Sequence, residues 1–300
     1  MSDVVSTFRD RHGIEVAYRT WDVSDPVGCV AISHGASEHS ARYEQFGRAL
    51  NAAGFAAYAL DHRGHGLTLP STGAGRMGPP GGAGLIDDLD ELFDLAAADH
   101  PDAPLALFGH SLGSLIALAY ATTHPERLAG LVLCALPAPV EGLEAMAAGL
   151  SAIPEEMRDQ PGPALTAFNA MFEPARTTYD WLSRDPAEVD AYVADPLCGD
   201  DVPLTLGFTA DLFSVVGPAF TPAALGRITS PVLIIAGDQD PAAGLGEHSR
   251  QLRDAFEGVG VRATSVLYPG ARHKLLHETN RDEVTADITA WLREHIVVTA

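Results

Sequence analysis

The chain has 300 residues, 46% hydrophobic and 20% charged, a globular composition with material for one large core. Acidic residues outnumber basic ones by 40 to 19, and the net charge of −21 argues against nucleic acid and against stable docking on anionic lipid. Three scattered cysteines (Cys29, Cys134, Cys198) give neither a disulfide framework nor a zinc pattern. No apolar run reaches the ~20 residues of a membrane span, and the N-terminus has no basic start followed by an apolar core, so a cytoplasmic location is expected.

In chain order, residues 6–21 predict two strands around a turn at His12-Gly13. Residues 28–33 and 55–60 are uniformly apolar, as buried strands are, and the stretch between them predicts a helix over 39–53 that stops at Gly54. A Gly/Pro-rich loop (70–84) leads into an acidic helix (85–100). A strand (104–109), a helix (111–125) and a strand (128–136) follow. Residues 230–237 and 261–270 predict two further strands with a helix between them, and a helix over 281–296 closes the pattern. Apolar strands alternating with helices predict a mostly parallel sheet covered on both faces. The rhythm breaks over 137–225, which is rich in proline and helical patterns. It reads as an insertion lying over the sheet rather than as an independent domain.

The strand at 104–109 runs directly into Gly109-His110-Ser111-Leu112-Gly113 and then a helix. A Gly-x-Ser-x-Gly pattern alone is common, and a serine N-cap between glycines would look the same. The strand–turn–helix context is what a nucleophile elbow requires, with small residues where neighbouring backbone passes close. A serine hydroxyl needs a base, and the base needs an orienting acid. In the order nucleophile, acid, histidine, the loop after 230–237 offers Asp238 and Asp240, between which spacing does not choose. The loop after 261–270 offers His273 and His277. His273 is preferred because it lies in the loop proper, whereas His277 is expected to begin the last helical region. The stretch "DHRGHG" (61–66) has no closed set of metal-ligand spacings and reads as a loop bracing the floor of the site, so no metal is expected.

With these pieces in place, "HGASEHSARYE" (34–44), "DHRGHG", "LFGHSLGS", "DPLCGDD", "PVLIIAGDQDP" and "YPGARHKLLHETNRDEV" together resemble the monoacylglycerol lipase and lysophospholipase group of α/β-hydrolases, over about Phe8 to His295. The resemblance implies an α/β-hydrolase fold with a helical cap inserted after the sixth strand, the core being 1–136 with 226–300 and the cap 137–225. It implies Ser111 as nucleophile, Asp240 as acid and His273 as base, with backbone N–H groups of Ala36 and Leu112 forming the oxyanion hole. No cofactor is implied. Leu112 stands where the group often has Met. Lys274, the only lysine of the chain, follows the histidine where an acidic residue is frequent.

The expected reaction is hydrolysis of lipid-like carboxylic esters, of monoacylglycerol or lysophospholipid type. General carboxylesterases, C–C bond hydrolases, peptidases and cofactor-free haloperoxidases share the same triad, and a non-catalytic ligand-binding relative would normally have lost part of it. The expected partner is a small lipid or ester, with at most transient contact of the cap with a membrane surface. Within 137–225, Val140, Leu143, Met146, Ala147, Leu150 and Ile153 recur at helical spacing. Phe168, Met171, Phe172, Phe208, Leu212 and Phe213 supply larger apolar groups. Most of these stripes are expected to pack the cap onto the sheet. Phe168, Met171, Phe172, Phe208 and Leu212, with Cys198, are the candidates for the substrate pocket. In the opening motif, Gly35 and Ala36 matter most, and His34, Glu38, His39 and Arg42 are expected to brace them, with Tyr43 packed nearby.

Overall fold

Residues alternating along each central strand face opposite ways, and here both faces are apolar. In the computed structural model, which describes residues 4–140 and 142–297, this produces a sheet buried on both sides. Its strands are β1 (Val4–Arg9), β2 (Glu15–Trp21), β3 (Gly28–Ser33), β4 (Phe55–Leu60), β5 (Leu105–His110), β6 (Gly130–Cys134), β7 (Val232–Gly237) and β8 (Ala263–Tyr268). The order is β1-β2-β4-β3-β5-β6-β7-β8. The β1–β2 and β2–β4 pairs are antiparallel, and every pairing from β4 through β3 to β8 is parallel. The hairpin expected at His12-Gly13 joins β1 and β2.

The helices before the break are α1 (Glu44–Ala52), α2 (Leu69–Thr72), α3 (Gly82–Asp99) and α4 (Leu112–Thr123). The helix expected over 39–53 divides into a 3-10 turn at Ser40–Tyr43 and α1. On one face of the sheet Ala31, Tyr58, Leu107, Leu131 and Ile234 pack with Leu89 and Phe93 of α3 and with Leu115 and Ile116 of α4. On the other, Ile32, Phe108, Val132 and Ile235 pack with Phe46 and Leu50 of α1 and with Ile288 and Leu292 near the C-terminus.

Between β6 and β7 lie α5 (Leu143–Ser151), α6 (Pro186–Val193), α7 (Leu206–Val216) and α8 (Pro222–Leu225), separated by 3-10 turns. Among the described residues this stretch pairs in β fashion only at an isolated Pro161–Thr205 bridge. It is not one layer. Phe208, Leu212 and Val216 of α7 join the main core, whereas Tyr179, Trp181, Leu182, Tyr192 and Cys198 form a separate cluster with Ala242. After β7 come α9 (Glu247–Gly258) and, after β8, α10 (Arg281–Ile296). Within α5, Leu143 is buried, but Met146 stays 40% exposed, so the helical stripe there is only partly covered. No helix among the described residues is long and apolar enough to cross a membrane.

Candidate active site

The turn from β5 into α4 forces Ser111 to φ 53°, ψ −120°, a conformation a side-chain-bearing residue holds only under constraint. The constraint is close backbone packing. A Cβ on Gly109 would lie 2.3 Å from the Gly113 carbonyl oxygen, and one on Gly113 would lie 2.0 Å from that of Ser33. Glycine is required at both places. Ser111 N–H donates to the Cys134 carbonyl at 2.9 Å, and its own carbonyl accepts from Ser114 Oγ at 2.6 Å. The Ser111 side chain therefore stands at the head of α4, where peptide N–H groups and the helix dipole favour negative charge.

The two aspartates left open by spacing separate clearly. Asp240 is fully buried, and its Oδ2 lies 2.8 Å from His273 Nδ1 while its Oδ1 accepts Ala242 N–H at 2.9 Å. Asp238 instead accepts Gly270 N–H at 2.7 Å and shapes the turn. His277 does not enter the site. It sits in a 3-10 turn four residues ahead of α10, half-buried, with Nε2 donating to the Arg42 carbonyl at 2.9 Å. Burial, with Lys274 and Arg42 nearby, holds its pKa well below the usual histidine range.

Ser111, Leu112, Ala36 and His273 all line one cavity of about 270 Å³. No hydrogen bond joins Ser111 to His273 in the structure; such bonds commonly tighten only in the substrate complex. Among the described residues no acceptor takes the N–H of Ala36 or of Leu112, so both remain available beside Ser111.

The loop bearing Ala36 is held from behind. His34 Nδ1 donates to the Gly35 carbonyl at 2.7 Å, while its Nε2 accepts His62 N–H at 2.9 Å. Asp61 accepts Ser40 N–H and Leu67 N–H, both at 2.7 Å, so "DHRGHG" does brace the floor. Burial lowers the pKa of His34 and of His62, and takes His65 to about 3. These rings are therefore neutral at physiological pH.

The centre of this brace is Glu38, which is fully buried. One carboxylate oxygen accepts Gly35 N–H at 2.6 Å, Tyr43 OH at 2.8 Å and His110 Nδ1 at 3.2 Å. The other is paired with Lys274. Burial opposes ionisation of Glu38, but the Lys274 ammonium and His110 outweigh it and hold the carboxyl well below its usual range. The sequence marks Glu38 as part of a brace. It gives no sign that His110 and Lys274, 72 and 236 residues further along, meet it there.

Of the pocket candidates, Phe168 and Leu212 line the cavity, joined by Trp181, Leu182, Leu204 and Phe213. The other four are placed elsewhere. Phe208 faces inward from α7 and packs edge-on against His65. Met171 points outward and is 52% exposed. Phe172 lies under the Arg272 guanidinium, 4.2 Å away. Cys198 is buried beside His39 and Asp195, close enough for the three to resemble a metal cluster. However, His39 Nε2 and Asp195 Oδ2 are already hydrogen-bonded at 2.9 Å, and burial pushes the thiol up to about 12, so it is protonated.

Trp181, which sequence reasoning missed, packs 4.7 Å from the His273 ring and 4.9 Å from Phe168. Its backbone and that of Leu182 accept the N–H groups of His273 (3.4 Å) and Lys274 (2.8 Å). Arg184 donates to Glu278 Oε2 at 2.8 Å and extends the same seam. A lone Trp in a proline-rich stretch carries no signal that would have placed it there.

A family model described as "Serine aminopeptidase, S33" matches residues 24–280. The monoacylglycerol lipase of Mycolicibacterium smegmatis is 32% identical, over 98% of this chain and all of that protein. Among solved structures, a thermostable carboxyl esterase from Bacillus coagulans in complex with glycerol superposes with a TM-score of 0.88 at 28% identity, covering 99% of this chain and 100% of that one. The monoacylglycerol lipase of Paleococcus ferrophilus superposes at 0.72 with 26% identity, covering 94% and 99%.

Proposed function

The chain belongs to the α/β-hydrolase family described as serine aminopeptidase, S33, and on that premise we propose that it cleaves lipid-like carboxylic esters, monoacylglycerol foremost, through an acyl-enzyme on Ser111. It is a carboxylic ester hydrolase, like the lipases and esterase it resembles. One observation carries the assignment of the site: His273, held by the buried Asp240, and the strained Ser111 line the same apolar cavity.

In this reading Ser111 attacks the ester carbonyl and His273 Nε2 takes the serine proton, later passing it to the leaving alcohol. Asp240 fixes Nδ1–H and stabilises the imidazolium. The N–H groups of Ala36 and Leu112 receive the oxyanion, a contribution typically worth ~3–4 kcal/mol per donor. Water, activated by the same histidine, then releases the acid.

The 137–225 segment acts as the cap, supplying Phe168, Trp181, Leu182 and Phe213 to the cavity wall, where an acyl chain would lie. The exposed side chains of Met146, Met157 and Met171 on this segment support brief contact with lipid aggregates. Three buried free thiols suit a reducing compartment such as the cytoplasm.

The family description raises an aminopeptidase as an alternative. That chemistry needs an unpaired anion for the substrate's α-ammonium. Among the described residues the only carboxylate lining the cavity, Glu38, is already neutralised by Lys274, so the site favours an uncharged ester. The test combines fluorophosphonate labelling with a panel of monoacylglycerols, lysophospholipids, simple esters of graded length and aminoacyl anilides. Ser111 should be the labelled residue, Ser111→Ala should lose at least ~10³-fold in kcat, and kcat/KM should climb with acyl length. Faster turnover of aminoacyl anilides than of any ester would reverse the reading.

A further inference from the structure

Lys274 is the single lysine in a chain that otherwise uses arginine 18 times. It is not a surface residue. It is 4% exposed and lines the cavity directly after His273. A buried ammonium is unfavourable unless paired and hydrogen-bonded. Here the partner is the Glu38 oxygen left free by the Gly35, Tyr43 and His110 contacts. The Tyr192 ring lies 4.7 Å from Nζ and offers its π face to the cation. A compact point charge suits one carboxylate oxygen in a closed space, where a planar, five-donor guanidinium would leave donors unpaired.

Glu38 thereby touches three of the four loops of the site: the Gly35–Ala36 turn, the residue before the nucleophile, and the residue after the base. We propose that Lys274 is a positioning residue, its ammonium being the counter-charge that fixes the Glu38 carboxylate as the common anchor of the Gly35–Ala36 turn and of the His110 ring. The inference rests on the ester-hydrolase reading of the site.

The consequence for charge follows from the neighbours. Around Lys274 stand Glu38 and Arg42 from the 34–44 loop, His110 from the elbow, Tyr192 and Cys198 from the 137–225 segment, and His273 and His277 on its own loop. Burial lowers the His110 pKa against the pull of Glu38, and His273 and Lys274 lower it further. Yet both His110 nitrogens face acceptors, Glu38 and the His273 carbonyl, each at 3.2 Å. A doubly protonated ring would satisfy both. Without the ammonium, the uncompensated carboxylate draws a proton onto His110. That imidazolium would lie 4.9 Å from the His273 ring and oppose the positive charge His273 must accept during acyl transfer.

The experiment compares the wild type, K274M, E38Q and K274M/E38Q as full-length proteins. It follows kcat and KM on a soluble medium-chain ester from pH 5 to 9, the rate of fluorophosphonate labelling at Ser111, and Tm. K274M should lower kcat by at least ~10-fold with KM changed less than ~3-fold, and should move the acid limb of the kcat profile to higher pH. Adding E38Q, which removes the carboxylate charge but keeps an acceptor oxygen, should recover several-fold of the loss and return the limb towards its wild-type position. The inference is overturned if K274M keeps the wild-type rate and profile. It is equally overturned if the K274M loss follows Tm alone and E38Q rescues nothing. Labelling rates separate the two readings. A wild type that labels at Ser111 but turns over no lipid ester removes the substrate assignment, while the labelling rates of the variants still judge Lys274.

Discussion

Two aspartates leave the same strand end two residues apart, and their surroundings give them different work. Asp240 has one oxygen on His273 and the other on a backbone N–H, in full burial. Asp238 only closes the turn at Gly270. Asp240→Asn presents the wrong group to Nδ1 and should lower kcat by ~10³–10⁴-fold, whereas Asp238→Asn keeps an acceptor for Gly270 and should change kcat less than ~3-fold. Steady-state kinetics on one ester decides the matter, and equal losses in the two variants would remove Asp240 as the acid. At this scale the sequence was informative wherever chemistry is tied to local order. Ser111 lay in a motif, and His273 lay in the loop that the fold order demands. It was silent where partners meet across the chain, as Glu38 and Lys274 do, and where a side chain's direction depends on its helix. Phe208 and Leu212 share one face of α7, yet only Leu212 lines the cavity, while Phe208, one turn earlier, packs against His65.

Between elements, the buried cluster of Arg63 with Asp10 and Asp88 ties the β1–β2 turn and α3 to the loop after β4. All three side chains are fully buried. One guanidinium faces two carboxylates, so burial, against the pull of Arg63 and with Asp10 adding to it, raises the Asp88 pKa from 3.8 to about 7. The sign follows directly. Between those values the folded state holds a proton that the unfolded chain has lost, so this group adds stability as pH falls from about 7 towards 4 and withdraws it as pH rises through 7. Asp88→Asn keeps an acceptor for Arg63 without the charge. The difference in urea midpoint between wild type and Asp88→Asn should therefore change with pH across that window, moving against the wild type as pH rises. A difference independent of pH would show that Asp88 does not titrate there. Strand and helix identities were legible because both faces of β3 to β7 are apolar and the helix stops are marked. The 137–225 segment was legible only as a break in rhythm. Its short turns are ordered by contacts with distant loops, such as Trp181 and Leu182 on His273 and Lys274, and local pattern does not encode those contacts.

For the whole molecule, the net charge of −21 bears on how a lipid substrate is reached. The cavity is apolar, and the segment forming its outer wall exposes methionines, so short-range contact with a lipid aggregate is favourable. The long-range field is unfavourable towards any anionic surface, since like charges repel over a Debye length of ~30 Å at 0.01 M salt and only ~3 Å at 1 M. These two terms act at different distances and separate experimentally. Long-chain monoacylglycerol presented in vesicles with about one-third anionic lipid should be hydrolysed several-fold more slowly than in zwitterionic vesicles at low salt, with the gap closing near ~0.5 M salt. A soluble short-chain ester, which needs no surface, should show little salt dependence in the same series. If anionic vesicles are turned over as fast as zwitterionic ones at low salt, the approaching face is not the acidic one. The charge would then lie on the side of the molecule away from the cavity mouth, and the 137–225 segment would meet the lipid alone.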